Sequence, residues 1–204
     1  MNIIIIAGMP ASGKSTVAEK IGKAFGYPIL EKDAIKEELF DVIGFTNYAE
    51  KRRHDVAATA VLLRCTDALL RGGSSLICVN NFRPEVQSQL QEIIDRNQCR
   101  CVTVFFKGDA DEFYKRYVER DRKHLRHLGH VLQEHYPPQE GDSLDYTMTR
   151  QEFAEKFEQL GMADFHISGP RIDVDATNPE LIDVEKLIED ICNALGKGKS
   201  HEEI

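Results

Sequence analysis

Short apolar runs recur along the chain, and between them apolar residues fall at helical spacing. Ile3-Ile4-Ile5-Ile6-Ala7 is β-branched and reads as a strand. Val17, Ala18, Ile21 and Phe25 then follow the period of a helix, which Gly26 stops. Tyr27–Leu30 is a second short strand. From Thr46 to Arg71 the pattern is a long helix, with Ala49, Val56, Ala60, Leu63, Ala68 and Leu70 as its expected apolar positions and Gly72-Gly73 as its end. Ser75–Val79 is a third strand, and Pro84 opens a helix reaching about Asn97. Cys101–Phe106 is a fourth strand, too continuously apolar for a sheet with one wet face. Arg150 to Leu160 reads as a short amphipathic helix. Arg171–Asp175 is the fifth strand, followed by a helix from Pro179 to Leu195 with Leu181, Val184, Leu187, Ile188 and Ile191 inward. Strands alternating with helices predict an α/β fold with a parallel sheet.

Composition narrows the class. A chain of 204 residues with 42% hydrophobic content suits one domain, expected over 1–195 with a frayed tail at 196–204. The opening apolar run is short and has no basic segment before it, so it does not read as a signal peptide, and no later run has the length of a membrane span. Five scattered cysteines, odd in number, suggest reduced thiols in a cytoplasmic setting. The net charge of −8 disfavours broad binding to nucleic acid.

The chemistry begins where the first strand ends. Gly8-Met9-Pro10-Ala11-Ser12-Gly13-Lys14-Ser15-Thr16 matches G-x-x-x-x-G-K-[ST] between a strand and a helix. Such a loop aims successive N–H groups and a helix N-terminus at one point, which suits the phosphates of ATP. Lys14 is placed to reach the β- and γ-phosphates and the Ser15 hydroxyl to bind Mg²⁺. Asp33 lies past the second strand, on the same sheet edge. Two roles are open to it: capping the following helix, or accepting the proton of an attacking hydroxyl. Glu31 and Lys32 are weaker neighbours of that site. The third strand delivers Asn80 and Asn81 where many phosphate-loop enzymes carry an acidic residue, so either an asparagine-rich turn or contact with an acceptor hydroxyl is open. Arg52 and Arg53 belong either to a solvated face or over an anionic acceptor.

A second informative stretch runs from Glu112 to His130. Arg116, Arg120 and Lys123 fall on one helical face of an otherwise acidic chain. It reads as a lid, expected over about 112–135, whose arginines neutralise a phosphoryl group in transfer, or as a solvated basic helix. Its histidines lack partners at zinc-site spacing. Residues 131–165, with Pro137-Pro138 and Gly141-Asp142-Ser143 breaking the pattern, are an expected insertion. The turn at Ala176-Thr177-Asn178-Pro179 comes to the same sheet edge, where Thr177 is placed against the nucleotide base.

Gly8–Thr16, Asp33 with Ala34-Ile35-Lys36 after it, and Arg120 with Arg126-His127-Leu128-Gly129-His130 resemble bacterial P-loop kinases. These are the ATP-binding "AAA domain" proteins akin to chloramphenicol phosphotransferase, zeta toxin and polynucleotide kinase. The resemblance implies a three-layer P-loop NTPase fold with a five-stranded parallel sheet in the nucleoside-monophosphate-kinase style. It implies ATP as donor, with Mg²⁺, and a hydroxyl acceptor activated by Asp33. Arg120 and Arg126 would then act on the transferring phosphoryl group, with Arg116 and Arg122 as further nucleotide contacts. The expected activity is transfer of the γ-phosphate to a small-molecule hydroxyl. A 5′-hydroxyl nucleic-acid kinase and a non-catalytic nucleotide-sensing module are the alternatives.

Overall fold

A computed structural model describes residues 1–142 and 148–196. The expected tail from 197 onward, and Ser143 in the expected break, lie outside the described residues. Taken in order, the elements are β1 (Asn2–Gly8), α1 (Lys14–Phe25), β2 (Ile29–Glu31), α2 (Lys32–Ile43), α3 (Tyr48–Arg71) and β3 (Leu76–Val79). There follow α4 (Gln87–Arg96), β4 (Arg100–Lys107), α5 (Ala110–Arg122), α6 (Leu128–Val131), α7 (Arg150–Gln159), β5 (Arg171–Asp175) and α8 (Val184–Ala194). Both helices expected to open on a proline are preceded instead by 3-10 turns, at Pro84–Val86 and Pro179–Leu181.

All pairings in the sheet are parallel, in the order β2-β3-β1-β4-β5. β1 is central and buried on both faces, which is why it reads as an unbroken apolar run. Its alternate residues serve opposite layers. Ile4 and Ile6 pack with α1, α5, α7 and α8 through Ile21, Phe113, Phe153 and Ile191. Ile3 and Ile5 pack with α3 and α4 through Leu62, Leu70, Leu90 and Ile94. The result is the expected three-layer α/β fold with a five-stranded parallel sheet. The cysteines are free thiols, and burial pushes those of Cys78 and Cys101 up to about 12.

Further expectations change, and Leu181, expected inward, is 80% exposed. In α3 the inward positions are Lys51, His54, Ala58, Leu62, Leu63, Thr66, Asp67 and Leu70, whereas Val56 is 67% exposed and Ala49, Ala60 and Ala68 are exposed. The polar inward residues find distant partners. Lys51 donates to the carbonyls of His130 and Leu132 at 2.9 and 2.5 Å, and His54 bonds Gly44 O at 2.7 Å. The segment expected as an insertion contributes Met148, Phe153, Phe157 and Met162 to the same core as β1, with Phe153 only 1% exposed.

The expected lid begins in α5 and is docked along its far end. Phe40 of α2 is fully buried among Phe45, His54, His127, His130 and Tyr136. Gly129 lies so close to this ring that a Cβ there would sit 2.3 Å from Phe40 Cδ2. His130 pairs with Glu37 and His127 with Asp41, each at 2.9 Å, so these histidines are engaged with carboxylates of α2.

Candidate functional site

The carboxyl ends of the strands bring the candidate residues to one edge, where an open α/β sheet places its ligands. Gly8, with φ at 123°, lies against β4 so tightly that a Cβ would fall 2.2 Å from Phe106 O. No other residue fits there, both for its packing and for its backbone conformation. Ala11 and Gly13 both have positive φ, at 58° and 85°, and curl the loop around a central space. Met9 and Ser12 close it from within, the Ser12 hydroxyl donating to Met9 O at 2.7 Å, and Pro10 is buried beneath.

Lys14 opens α1 and folds back into the loop, donating to Gly8 O at 3.0 Å and Met9 O at 2.6 Å. It is 8% exposed, and its burial, reinforced by the charge of Arg120 and opposed by those of Asp33 and Glu31, lowers its pKa to about 7. Ser15 and Thr16 are exposed at the start of α1.

The Ser15 hydroxyl donates to Glu31 Oε1 at 2.5 Å. An acidic partner for Ser15, absent after β3, stands instead at the end of β2, because α1 packs over β2 and β3 and carries Ser15 to the end of the edge strand. Burial pushes the Glu31 carboxyl pKa up. Two hard oxygen donors together on a site edge, one of them a carboxylate, fit Mg²⁺ held otherwise by phosphates and water. Asn80 accepts from Asn81 N at 2.7 Å, a local turn bond.

Asp33 is not the cap of α2. The capping position is Glu31, with no side-chain cap bond, and Asp33 stands in the first turn. Its side chain is 48% exposed yet walled by other elements. Enclosure, the largest single influence, favours the protonated acid. The charges of Lys32, His130, Lys36 and Arg126 together outweigh it and hold the carboxyl below its usual range.

The four expected arginines occupy different situations. Arg116 spends its guanidinium on backbone, Nε donating to Ala11 O at 3.0 Å, Nη1 to Thr177 O at 2.8 Å and Nη2 to Ala176 O at 2.8 Å. It ties the phosphate loop to the turn after β5, where the Thr177 hydroxyl accepts from Asp109 N at 3.0 Å. Arg120, one turn further along α5, has a buried Nε with no hydrogen-bond partner and feels the charges of Arg126 and Asp33. Arg126 donates to both oxygens of Asp121, at 3.0 and 3.2 Å, and lies 4.8 Å over the Tyr117 ring. Arg122 is exposed and takes part in no hydrogen bond or ion pair among the described residues. Arg52 and Arg53 are likewise on the exposed side of α3.

Sequence reasoning missed Glu31 as the partner of Ser15, and it missed Asp55. That carboxylate, on α3, meets Lys32 and Lys36 at 3.0 Å each and Arg83 at 3.7 Å. Its own acidity is strongly raised by them against the effect of burial. A depression of about 630 Å³ at the opposite ends of β4 and β5 gathers no comparable set. Its charged groups are engaged within the fold, Arg100 with Leu195 O and Asp95 with Gln91.

A family model described as an AAA domain matches residues 3–138. The chain belongs to the AAA domain family. The matched part of this AAA domain runs from β1 through the docked end of the lid. A shikimate kinase from Clostridium botulinum is 25% identical over 129 residues, covering 59% of the chain and 68% of that relative. A candidate kinase from Chloroflexus aurantiacus has a solved structure that superposes with a TM-score of 0.79 and 25% identity, over 95% of this chain and 98% of the other. A gluconokinase from Sinorhizobium meliloti, at 16% identity, shares the AAA domain's fold with a TM-score of 0.56, over 96% and 92% of the two chains. Among the described residues no helix is long and apolar enough to cross a membrane.

Proposed function

We propose that this chain is an ATP- and Mg²⁺-dependent kinase that moves the γ-phosphoryl group of ATP to a hydroxyl of a small molecule. The observation that carries the reading is Arg120. A buried guanidinium nitrogen without a partner among the described residues, within the fields of the phosphate-loop lysine and the aspartate of α2, suits an anion that arrives with the substrate. The kinase names of the relatives support the same class.

The loop N–H groups and Lys14 hold the β- and γ-phosphates, and Arg116 keeps the loop's shape from behind while the turn at Thr177 borders the base. Ser15 and Glu31 would hold Mg²⁺, which when bound supplies charge neutralisation between β- and γ-phosphate oxygens. The acceptor hydroxyl sits against Asp33. As its oxygen bonds to the γ-phosphorus, its proton passes to the Asp33 carboxylate. The bond from that phosphorus to the β,γ-bridging oxygen breaks, and ADP leaves. A carboxylate held this acidic is a weak base. That matches a loose transition state, in which the acceptor's proton leaves late and alignment matters more than abstraction. Arg120 meets the charge that spreads over the equatorial oxygens, and Arg126, fixed by Asp121 and Tyr117, adds its field from the acceptor side. This shared use of an aspartate and lid arginines is also what the likeness to chloramphenicol phosphotransferase, zeta toxin and polynucleotide kinase implies.

The test is ADP release with ATP and Mg²⁺ against a panel of sugars, sugar acids, nucleosides, aminoglycosides and short oligonucleotides, with Lys14→Ala as control. A small molecule that stimulates release many-fold in the wild type alone is the expected result. Stimulation by oligonucleotides alone moves the acceptor to nucleic-acid ends, and tight ATP binding without stimulation by any compound favours the sensing module.

A further inference from the structure

The proton-accepting edge of the site carries more positive charge than its own carboxylates neutralise. Asp55 is shared by Lys32, Lys36 and Arg83, three cations on two different elements. Arg126 is matched by Asp121, and Lys32 also lies 3.9 Å from Asp33. Lys156 of α7 is exposed, its ammonium makes no hydrogen bond or ion pair among the described residues, and it sits within the fields of Arg126, Lys36, Arg83 and Asp55. Lys32, Lys36, Arg83, Arg126 and Lys156 thus stand against Asp33, Asp55 and Asp121, while Glu37 of the same face is taken up by His130, in a chain whose net charge is −8.

Holding α2, α3 and the β3 loop together accounts for Asp55 and its three cations. It does not account for Lys156, which arrives from a helix on the other layer and whose ammonium binds nothing among the described residues. Its one counter-charge there is Asp55, already shared by three cations, so a lysine facing two arginines and another lysine gains from a further anion. Although the residue as a whole is exposed, partial enclosure of its ammonium and those like charges lower its pKa, against the pull of Asp55.

We propose that the acceptor is an acid: beside the hydroxyl set against Asp33 it carries a carboxylate or phosphate seated among Lys36, Arg83 and Lys156. The proposal rests on the kinase reading and deepens it. Lys36 and Arg83, already oriented by Asp55, give a fixed pair of donors, and Lys156 closes from α7. Recognition of the acid selects the substrate and fixes which hydroxyl faces Asp33.

The experiment fills the phosphate loop with the non-hydrolysable analogue AMP-PNP and Mg²⁺, then titrates acetate and inorganic phosphate separately by calorimetry. One of the two anions is expected to bind the wild type at a second site. Lys156→Glu, at an exposed position that leaves the fold intact, is expected to weaken it at least tenfold, and Arg83→Gln likewise, while AMP-PNP affinity stays within twofold. Tighter acetate assigns a carboxylate, and tighter phosphate assigns a phosphoryl group. No anion binding by the wild type, or binding indifferent to both substitutions, overturns the proposal. So does a neutral acceptor phosphorylated with equal kcat/KM by wild type and Lys156→Glu, an outcome that leaves the kinase reading standing. Failure of AMP-PNP to bind the wild type would overturn the kinase reading itself.

Discussion

Ser15 Oγ and Glu31 Oε1 stand 2.5 Å apart, joining the helix that follows the phosphate loop to the end of the edge strand. If this pair is the protein's share of the metal site, Glu31→Gln removes the only charge in it. The Mg²⁺ concentration for half-maximal ADP release should then rise at least tenfold, with much of kcat regained at saturation. An unchanged Mg²⁺ curve takes Glu31 out of the metal site.

Asp33 is not used as a helix cap, so its replacement costs the fold little. Asp33→Asn should lower kcat by a factor on the order of 10²–10⁴, the usual contribution of a positioned acid–base group. ATP affinity should stay within a few-fold. Near-normal turnover would remove Asp33 from the reaction.

Arg116 and Arg120 should separate stability from catalysis. Arg116→Ala loses three bonds to backbone carbonyls and should cost about 1–3 kcal/mol in urea unfolding, with weaker ATP binding. Arg120→Ala loses no protein hydrogen bond at Nε and should leave the unfolding midpoint nearly unchanged, while kcat falls about 10²–10³-fold. Equal losses of stability in the two variants would contradict this division.

Lys14, with its pKa lowered to about 7 by burial, is mostly neutral at pH 8. Phosphate oxygens favour the ammonium form, so ATP binding at pH 8 should take up close to one proton, and at pH 6 almost none. Calorimetry in buffers of different ionisation enthalpy reads this directly. In Lys14→Arg, whose charge is permanent, the uptake at pH 8 should vanish. Proton release at pH 8 would reverse the assignment.

The docked end of the lid depends on one small residue. Gly129→Ala places a methyl group 2.3 Å from Phe40 Cδ2, within a ring of five aromatic side chains. Overpacking of this kind costs about 1–3 kcal/mol. Urea unfolding should show that loss, and a midpoint unchanged from wild type would mean that the segment repacks freely.

The centre of the sheet was legible because β1, β3 and β4 are buried on both faces. Ile3–Ile6 and Cys101–Phe106 can be nothing else at that length. The register of α3 was not legible. Its inward residues include Lys51 and His54, whose partners are carbonyls of His130, Leu132 and Gly44, contacts that no local pattern announces. The same limit hid Asp55, neutralised by lysines of another helix and an arginine of a loop. Glu31 was within reach, two residues before Asp33 at a strand end. It was passed over because the acid was sought after β3, and only strand order and the placement of α1 show that β2 is the strand that reaches Ser15. The lid arginines share a helix face by spacing alone. Which of them is free depends on carbonyls at Ala11, Ala176 and Thr177 and on the carboxylate of Asp121.

α5 acts as a ruler laid beside the phosphate loop. Arg116 is pinned at one mark by the phosphate loop, and Arg120 stands four residues on, a little over one turn and about 6 Å along the axis. In the proposed kinase, the reach from the loop to the reacting phosphate would thus be counted in residues. Inserting one residue between them would swing Arg120 about 100° off the mark and leave the anchor untouched. The span between positions 116 and 120 should therefore tolerate changes of residue type far better than any change of length.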